Sequence, residues 1–422
     1  MHILFLSDNF PPEVNAPASR TFEHCREWVK AGHQVTVITC APNFPKGRVF
    51  DGYRNRFWQS ADMEGIRVIR VWSYITRNEG FAKRILDYLS YMVTSFVAAL
   101  FVRRVDIIVA TSPQFFTACA GWAVSVVKWR PWVFELRDIW PESIRAVSAM
   151  KASRALDVLE KIELFLYRRA TAIVSVTHSF KENLIQRGIA GDKIHVVTNG
   201  VDIQQFFPRP KDTELEATLG LQGKFVAGYI GTQGMAHGLD TLLDAATLLR
   251  NTVGGDAFHI VMLGDGASRV ALQKRAQEEG LSAVLFVDTV PKADVARYWS
   301  LLDASIIHLK KNDLFSTVIP SKLFECMAMG TPVLHGVEGE SARIITEADA
   351  GLLFQPENAE ALVAGLVRLR DDAELAARLR RNGPVAAQKY DRKALASDML
   401  RLLQTLGGEA DGSGHHPRQA HL

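Results

Sequence analysis

Residues 31–39 read Ala-Gly-His-Gln-Val-Thr-Val-Ile-Thr. A helix-ending glycine runs straight into a β-branched stretch, and that junction decides the fold class. Upstream, Ser19–Lys30 has helical period, with Phe22, Arg26 and Val29 spaced for one face, and Gly32 suits the residue just past a helix end. Before that helix lies the Pro-rich loop Asp8-Asn-Phe-Pro-Pro-Glu13, and before the loop a short apolar run, His2–Leu6. Downstream, Val35–Thr39 is the second strand. Strand, helix and strand at this spacing form a βαβ unit, so a parallel sheet is expected.

The pattern repeats outward. Asp106–Ala110, Pro131–Leu136, Ala172–Val176 and His195–Val197 are strand candidates, with helical stretches such as Ala152–Arg169 between them. A second set begins with Val226–Tyr229 and continues through His259–Leu263, Val284–Val287 and Ala304–His308, each followed by a helix. The chain therefore reads as two doubly wound α/β domains, residues 1–207 and 208–387, joined near Phe206-Phe-Pro-Arg-Pro210. A helix at about 388–406 is expected to pack back on the first domain, and 407–422 to form a flexible tail. The histidines 415, 416 and 421 in that tail look like a metal cluster but suit a disordered tail better.

Charge is uneven. Through Pro208 there are 26 Lys and Arg against 19 Asp and Glu; the remainder has 23 against 27. The basic first half suits an anionic partner, a phosphate or a membrane surface, and is too weakly charged for a nucleic-acid groove. Four scattered cysteines, none in a C-x-x-C pair, suggest a reducing compartment, and the opening residues read as a strand and not as a signal peptide. Tyr88–Val102 runs fifteen residues without a charge and is closed by Arg103-Arg104. It is shorter than the roughly 20 residues of a membrane span. Two readings stand: a helix buried against the sheet, or a helix in a membrane interface with Lys83, Arg84, Arg103 and Arg104 at the headgroups.

Walker A, G-x-S-x-G, H-E-x-x-H and Asp-x-Asp sequences are all missing. Anion chemistry must then come from backbone dipoles and cations, and three strand ends in the second half offer them. Gly231-Thr-Gln-Gly234-Met-Ala-His237-Gly238 joins a strand to a helix, a loop type that lets backbone N–H groups approach an anion. Gly264-Asp265-Gly266 with Arg269 follows the next strand. Pro320-Ser321-Lys322 starts a helix, with Ser321 as its expected cap, Lys322 as a mobile cation for phosphate and Glu325 on the same face to accept ribose hydroxyls. The plainer readings are a tight turn and a surface Lys–Glu pair. In the first half the densest polar cluster is Arg137-Asp138-Ile-Trp140-Pro-Glu142, after a strand.

Together these motifs resemble a GT-B glycosyltransferase of family 4 over nearly the whole length. Ala31–Val37 is similar to the family's "GHxVxV" element, Asn199-Gly200-Val201-Asp202 through Phe206 to its "NGVDxxxF" linker, and Gly231–Gly238, Gly264–Gly266 and Glu325–Val333 to its donor-domain motifs, in order. Thr232, His237 and Thr317 stand where the family usually has Arg, Lys and Glu. Pro320-Ser-Lys322 and Ala236-His-Gly238 resemble a bacterial branch that builds surface polysaccharides, N-acetyl-L-fucosamine transferases among them.

The resemblance implies a GT-B architecture of two Rossmann-like domains facing a deep cleft. It implies a retaining, metal-independent enzyme that moves an N-acetylated amino or deoxyamino hexose from a UDP-sugar to a polyprenyl-diphosphate-linked saccharide. Expected donor contacts are Gly231, Thr232, Gly234, Gly264, Asp265, Gly266, Arg269, Val290, Pro320, Ser321 and Glu325. Asn15, Arg137 and Trp140 are expected to hold the acceptor, with Asp138, Lys322 and His237 in the chemistry. The expected setting is the cytoplasmic side of the plasma membrane, on an anionic surface. An epimerase or hydrolase of the same fold is the rival reading, and Thr317 motivates a third, a sugar-binding scaffold that has lost catalysis.

Overall fold

The computed structural model describes residues 1–44, 47–76, 81–112, 114–139, 154–252 and 254–408. At its centre β1 (His2–Leu6) pairs in parallel with β2 (Gln34–Cys40) and β5 (Ile107–Thr111), Leu4 lying between Thr36 and Ile108. β6 (Trp132–Leu136), β7 (Ala172–Ser175) and β8 (Ile194–Val196) extend the sheet beyond β5. Beyond β2 come β4 (Ile66–Val71) and β3 (Gln59–Met63), the antiparallel edge strand. The order is β3-β4-β2-β1-β5-β6-β7-β8. A second, wholly parallel sheet holds β9 (Phe225–Ile230), β10 (Phe258–Leu263), β11 (Val284–Val287), β12 (Ala304–His308), β13 (Val333–Gly336) and β14 (Gly351–Leu353), in the order β11-β10-β9-β12-β13-β14. These are two Rossmann-like α/β sheets, as the βαβ spacing predicts. Strands buried on both faces read as continuous apolar runs, which is why β1, β2 and β5 are legible. β3 is a polar, exposed edge, β4 alternates apolar residues with Arg67 and Arg70, and β13 and β14 are four and three residues long, so none gives that signal.

The first helix spans Ala16–Lys30, longer than the sequence indicates, and Gly32 follows its end at φ +86°. The expected face is corrected. The buried residues are Ala18, Thr21, Cys25 and Trp28 together with Arg20, Glu23 and His24, whereas Phe22, Arg26 and Val29 are half-buried. The helix lies between the sheet and the last helix, Arg392–Gly407, so it buries more than one stripe. Trp28 is wholly buried there, and its Nε1 donates to Ala396 O at 2.8 Å. The last helix thus returns to the first sheet, its Met399 and Leu403 packing with Ile3, Phe5 and Val35.

The uncharged stretch lies in a helix over Phe81–Phe101, long and apolar enough to cross a membrane by length and composition. Its two faces differ. Tyr91, Ser95 and Ala99 are buried against the first sheet, while Leu86, Val93, Val97 and Phe101 face outward, Phe101 with 70% exposure.

Candidate functional site

The loops after β9 and β10 are packed backbone on backbone. Gly231 N donates to Leu263 O at 2.9 Å, Gln233 N to Asp265 O at 2.8 Å and Ser268 N to Gln233 O at 2.9 Å. A Cβ on Gly264 would stand 2.1 Å from Gly231 O, and one on Gly266 2.4 Å from Gln233 O, both at positive φ. These two glycines are therefore needed by the neighbouring loop itself. Gln233 is fully buried, and its amide donates to Gly264 O at 3.2 Å, a brace the sequence does not reveal. Arg269 is also corrected. Its guanidinium donates to the Gly264 and Val287 carbonyls and pairs with Asp288 at 2.7 Å, so it ties strand ends together and does not stand free for phosphate. Asp265 Oδ1 accepts from Gly266 N, Thr232 is exposed, Gly234 makes only ordinary contacts, and Val290 packs on the edge of the core.

Lys322 begins the helix Lys322–Ala328. The residue keeps some exposure, but Nζ itself is closed from solvent and has no hydrogen-bond partner. It sits over the Tyr229 ring, 3.5 Å from the centroid, and a Cβ on Gly231 would meet it at 3.0 Å. Burial lowers its pKa to about 7. His237 is beside it. Burial and then Lys322 lower the His237 pKa to about 3, so at neutral pH the ring is uncharged and acts as a neutral donor or acceptor, not as the cation the sequence suggests. His308 Nδ1 donates to His237 O at 2.7 Å while its Nε2 accepts from Glu357 N at 2.8 Å, which fixes its tautomer.

Ser321 is the N-cap residue of the Lys322 helix by position, but its side chain makes no cap bond, which corrects the cap expected from the sequence; Pro320 O accepts from Leu323 N at 3.0 Å. Its φ and ψ are already helical, which turns the hydroxyl away from the cap geometry. Glu325 accepts from Trp299 Nε1 at 3.3 Å and makes no surface pair with Lys322. Burial raises its pKa, with Lys292 and Arg392 opposing.

In the first half, Arg137 and Asp138 follow β6, and both backbone N–H groups donate to Ser112 Oγ, at 2.8 and 3.2 Å. Arg137 Nη1 donates to Pro17 O at 3.2 Å, and burial lowers its pKa while Glu135 opposes. Asn15 is the N-cap of the first helix: Oδ1 accepts from Ala18 N at 2.9 Å and Nδ2 donates to Asn9, so its amide is already engaged on both sides. Trp140, Glu142 and the tail histidines lie outside the described residues. Missed by the sequence is a group of acids in the first half: burial raises Asp8 to about 6 and both Glu13 and Asp87 to about 7. Glu13 Oε1 accepts from Asn43 N and Phe44 N, and its Oε2 has no partner. A cavity of about 510 Å³ separates Glu13, Phe22 and Arg26 from Gln205 and Lys292.

Two acidic residues join the halves. Glu23 on the first helix pairs with both Lys292 and Arg392. Glu340 caps the helix His178–Gln186 from the other half, accepting from His178 N at 3.0 Å and from Ser179 N and Oγ at 2.8 Å each. The linker motif acquires a physical meaning too. Val201 N donates to Tyr390 O at 3.0 Å, Arg392 N to Val201 O at 3.0 Å, and a Cβ on Gly200 would lie 2.3 Å from Tyr390 O. Only glycine fits where the outgoing and returning chains cross.

Residues 15–200 match the family described as Glycosyl transferase 4-like domain, and residues 211–385 match Glycosyl transferases group 1. The chain is a glycosyltransferase of the GT-B fold. It is 26% identical to WcaI of Escherichia coli K12, named for glycosyl transfer in colanic acid biosynthesis, over 87% of this chain and 91% of that one. It is 24% identical to a GDP-mannose-dependent alpha-mannosyltransferase of Mycobacterium tuberculosis, over 92% and 95%. The fold is similar to that of Anabaena HepE, solved with UDP and glucose, with a TM-score of 0.71, 18% identity and coverage of 96% and 99%. The glycosyltransferase relatives do not favour the epimerase and hydrolase readings, and two of them are named for colanic acid and teichuronic acid biosynthesis.

Proposed function

We propose that this glycosyltransferase moves an N-acetylated amino or deoxyamino hexose from a UDP-sugar to a polyprenyl-diphosphate-linked saccharide during assembly of O-antigen, capsule or exopolysaccharide. The observation that carries the reading is Lys322 Nζ, a buried cation with no anion of its own, beneath the loop after β9 and at the start of a helix. A diphosphate is the partner that site lacks. Retention of configuration follows from the family resemblance: the bond from the sugar C1 to the diphosphate breaks, the acceptor oxygen bonds to C1 on the same face, and Asp138 takes the hydroxyl proton. Lys322, with no metal, stabilises the leaving diphosphate. Glu325 holds the ribose, and Arg137, charged despite its burial, faces the acceptor. UDP is favoured by the HepE likeness and GDP by the mannosyltransferase relative. Assaying nucleotide release from UDP- and GDP-sugars, with and without a polyprenyl-diphosphate acceptor in vesicles, decides between them; release indifferent to the lipid acceptor sinks the acceptor half of the reading.

The acceptor never leaves the bilayer, so the enzyme docks on the cytoplasmic face of the membrane as a peripheral protein. The outward face of the helix Phe81–Phe101 supports this. Beside its end stand Val126, Val127 and Trp129, the last 90% exposed, with exposed Arg103, Arg104 and Arg130 following those segments and exposed Lys83 and Arg84 at the start of the helix. Apolar area and basic charge together are the two signals stable docking needs. Arg103→Glu with Arg104→Glu is expected to shift the protein off anionic vesicles in co-sedimentation while UDP binding stays intact. A wild type that remains wholly soluble at low salt removes the membrane from the reading.

A further inference from the structure

This inference rests on the donor reading above and concerns how Lys322 meets the diphosphate. Tyr229 is fully buried in β9, and its hydroxyl donates to Thr232 O at 2.6 Å, which aims the ring face at Lys322 Nζ. The titratable groups around Nζ are His237 from the loop, His308 from β12, and Glu325 and Cys326 from its own helix. None supplies a full counter-charge. His237 is neutral, His308 is held neutral by its two backbone partners, burial raises the Cys326 thiol, and Glu325 is turned to Trp299. The ring is what the side chain has in place of an acceptor.

We propose that the Tyr229 ring is the resting place of Lys322, a positioning surface, and that a nucleoside diphosphate takes Nζ from the ring together with a proton from solvent. The physical chain is short. A buried amine without acceptors binds its proton weakly, and an aromatic face restores only part of the lost solvation. A diphosphate beside the amine favours the ammonium. The proton affinity of Lys322 is then lower in the free enzyme than in the complex. By linkage, affinity for the diphosphate is full below the free-enzyme value of about 7 and falls as pH rises above it, by about tenfold per unit, until the bound amine itself titrates.

Calorimetry of UDP binding to the full chain at about pH 8, in two buffers of different ionisation enthalpy, reads the proton directly. The expected result is uptake on the order of one proton per UDP. Lys322→Arg, which stays charged, is expected to bind UDP with no buffer dependence. Tyr229→Phe keeps the ring and the uptake. Tyr229→Leu moves the pH at which affinity begins to fall downward by about half a unit or more, a change that loss of packing alone does not produce. Equal heats in both buffers for the wild type overturn the inference and leave the donor reading standing. Uptake that persists in Lys322→Arg overturns it by assigning the proton to His237. If UDP, GDP, ADP and dTDP all fail to bind, the donor reading falls and takes this inference with it.

Discussion

Arg20 and Lys322 are both cations shut into the protein, one in each half, and the two halves treat them in opposite ways. Arg20 spends its guanidinium on Glu135 Oε1 at 2.8 Å and on the Val197 and Thr198 carbonyls, binding the first helix to β6 and to the linker. Burial works against ionisation of Glu135, but Arg20 and Arg137 hold its pKa below the ordinary value. Lys322 Nζ has no acceptor at all. A buried charge with all its partners inside the chain is part of the scaffold. A buried charge whose partner is missing costs stability, and in an enzyme with a bound anionic substrate that cost marks the site.

The comparison breaks most visibly at Arg20. Arg20→Met strands Glu135 and is expected to lose about 3–5 kcal/mol of stability in urea unfolding, with catalysis failing only as the fold fails. Stability within 1 kcal/mol of wild type would show that the network is not structural. Lys322→Ala is expected to do the reverse: a loss of about 2–4 kcal/mol of transition-state stabilisation in kcat/KM, with Tm held or raised. Near-normal turnover there ends the diphosphate assignment. Glu13 sharpens the contrast from the acidic side. Its folded pKa is raised from 4.5 to about 7, so its contribution to stability is present below about pH 4.5 and is lost as pH rises through 7. Glu13→Gln is accordingly expected to raise Tm at pH 8 by the equivalent of about 1–2 kcal/mol and to leave it unchanged near pH 4.5; equal shifts at both pH values contradict the linkage. The smallest effect is expected at Glu325, where Glu325→Ala should weaken UDP itself by about 1–1.5 kcal/mol in calorimetry. Unchanged UDP affinity counts against the ribose role.

Much of the fold is legible before any coordinate, for a physical reason. Strands buried on both faces need continuous apolar runs, and Gly32 and Gly330 punctuate helices at places where only a left-handed backbone fits. The site is legible as a neighbourhood and much less so as a set of roles. Gly231, His237 and Lys322 do converge. Arg269, Asn15 and the glycines at 264 and 266 carry the residue types of ligand contacts, yet the structure spends them on carbonyls, on a cap or on loop packing. Residue type states what a group is able to bind and leaves open which neighbour reaches it first. Tyr229, Gln233 and the Glu23–Lys292 and Glu340–Ser179 contacts give no sequence signal, because each depends on chain segments far apart in sequence meeting in space.

The last helix, returning to cover Trp28, also sets an order of events during synthesis. The ribosome releases the first sheet early, but the layer that seals one of its faces is encoded in residues 392–407 and emerges only after the whole second sheet. Until then the nascent chain holds an open apolar face around Trp28, Val35 and Ile3 while the whole second sheet is being made. The eight-stranded half therefore cannot finish folding first and wait. It is completed only when residues 392–407 join it, so a stop anywhere before them in the second half also leaves the first half uncovered and exposed to proteases and chaperones.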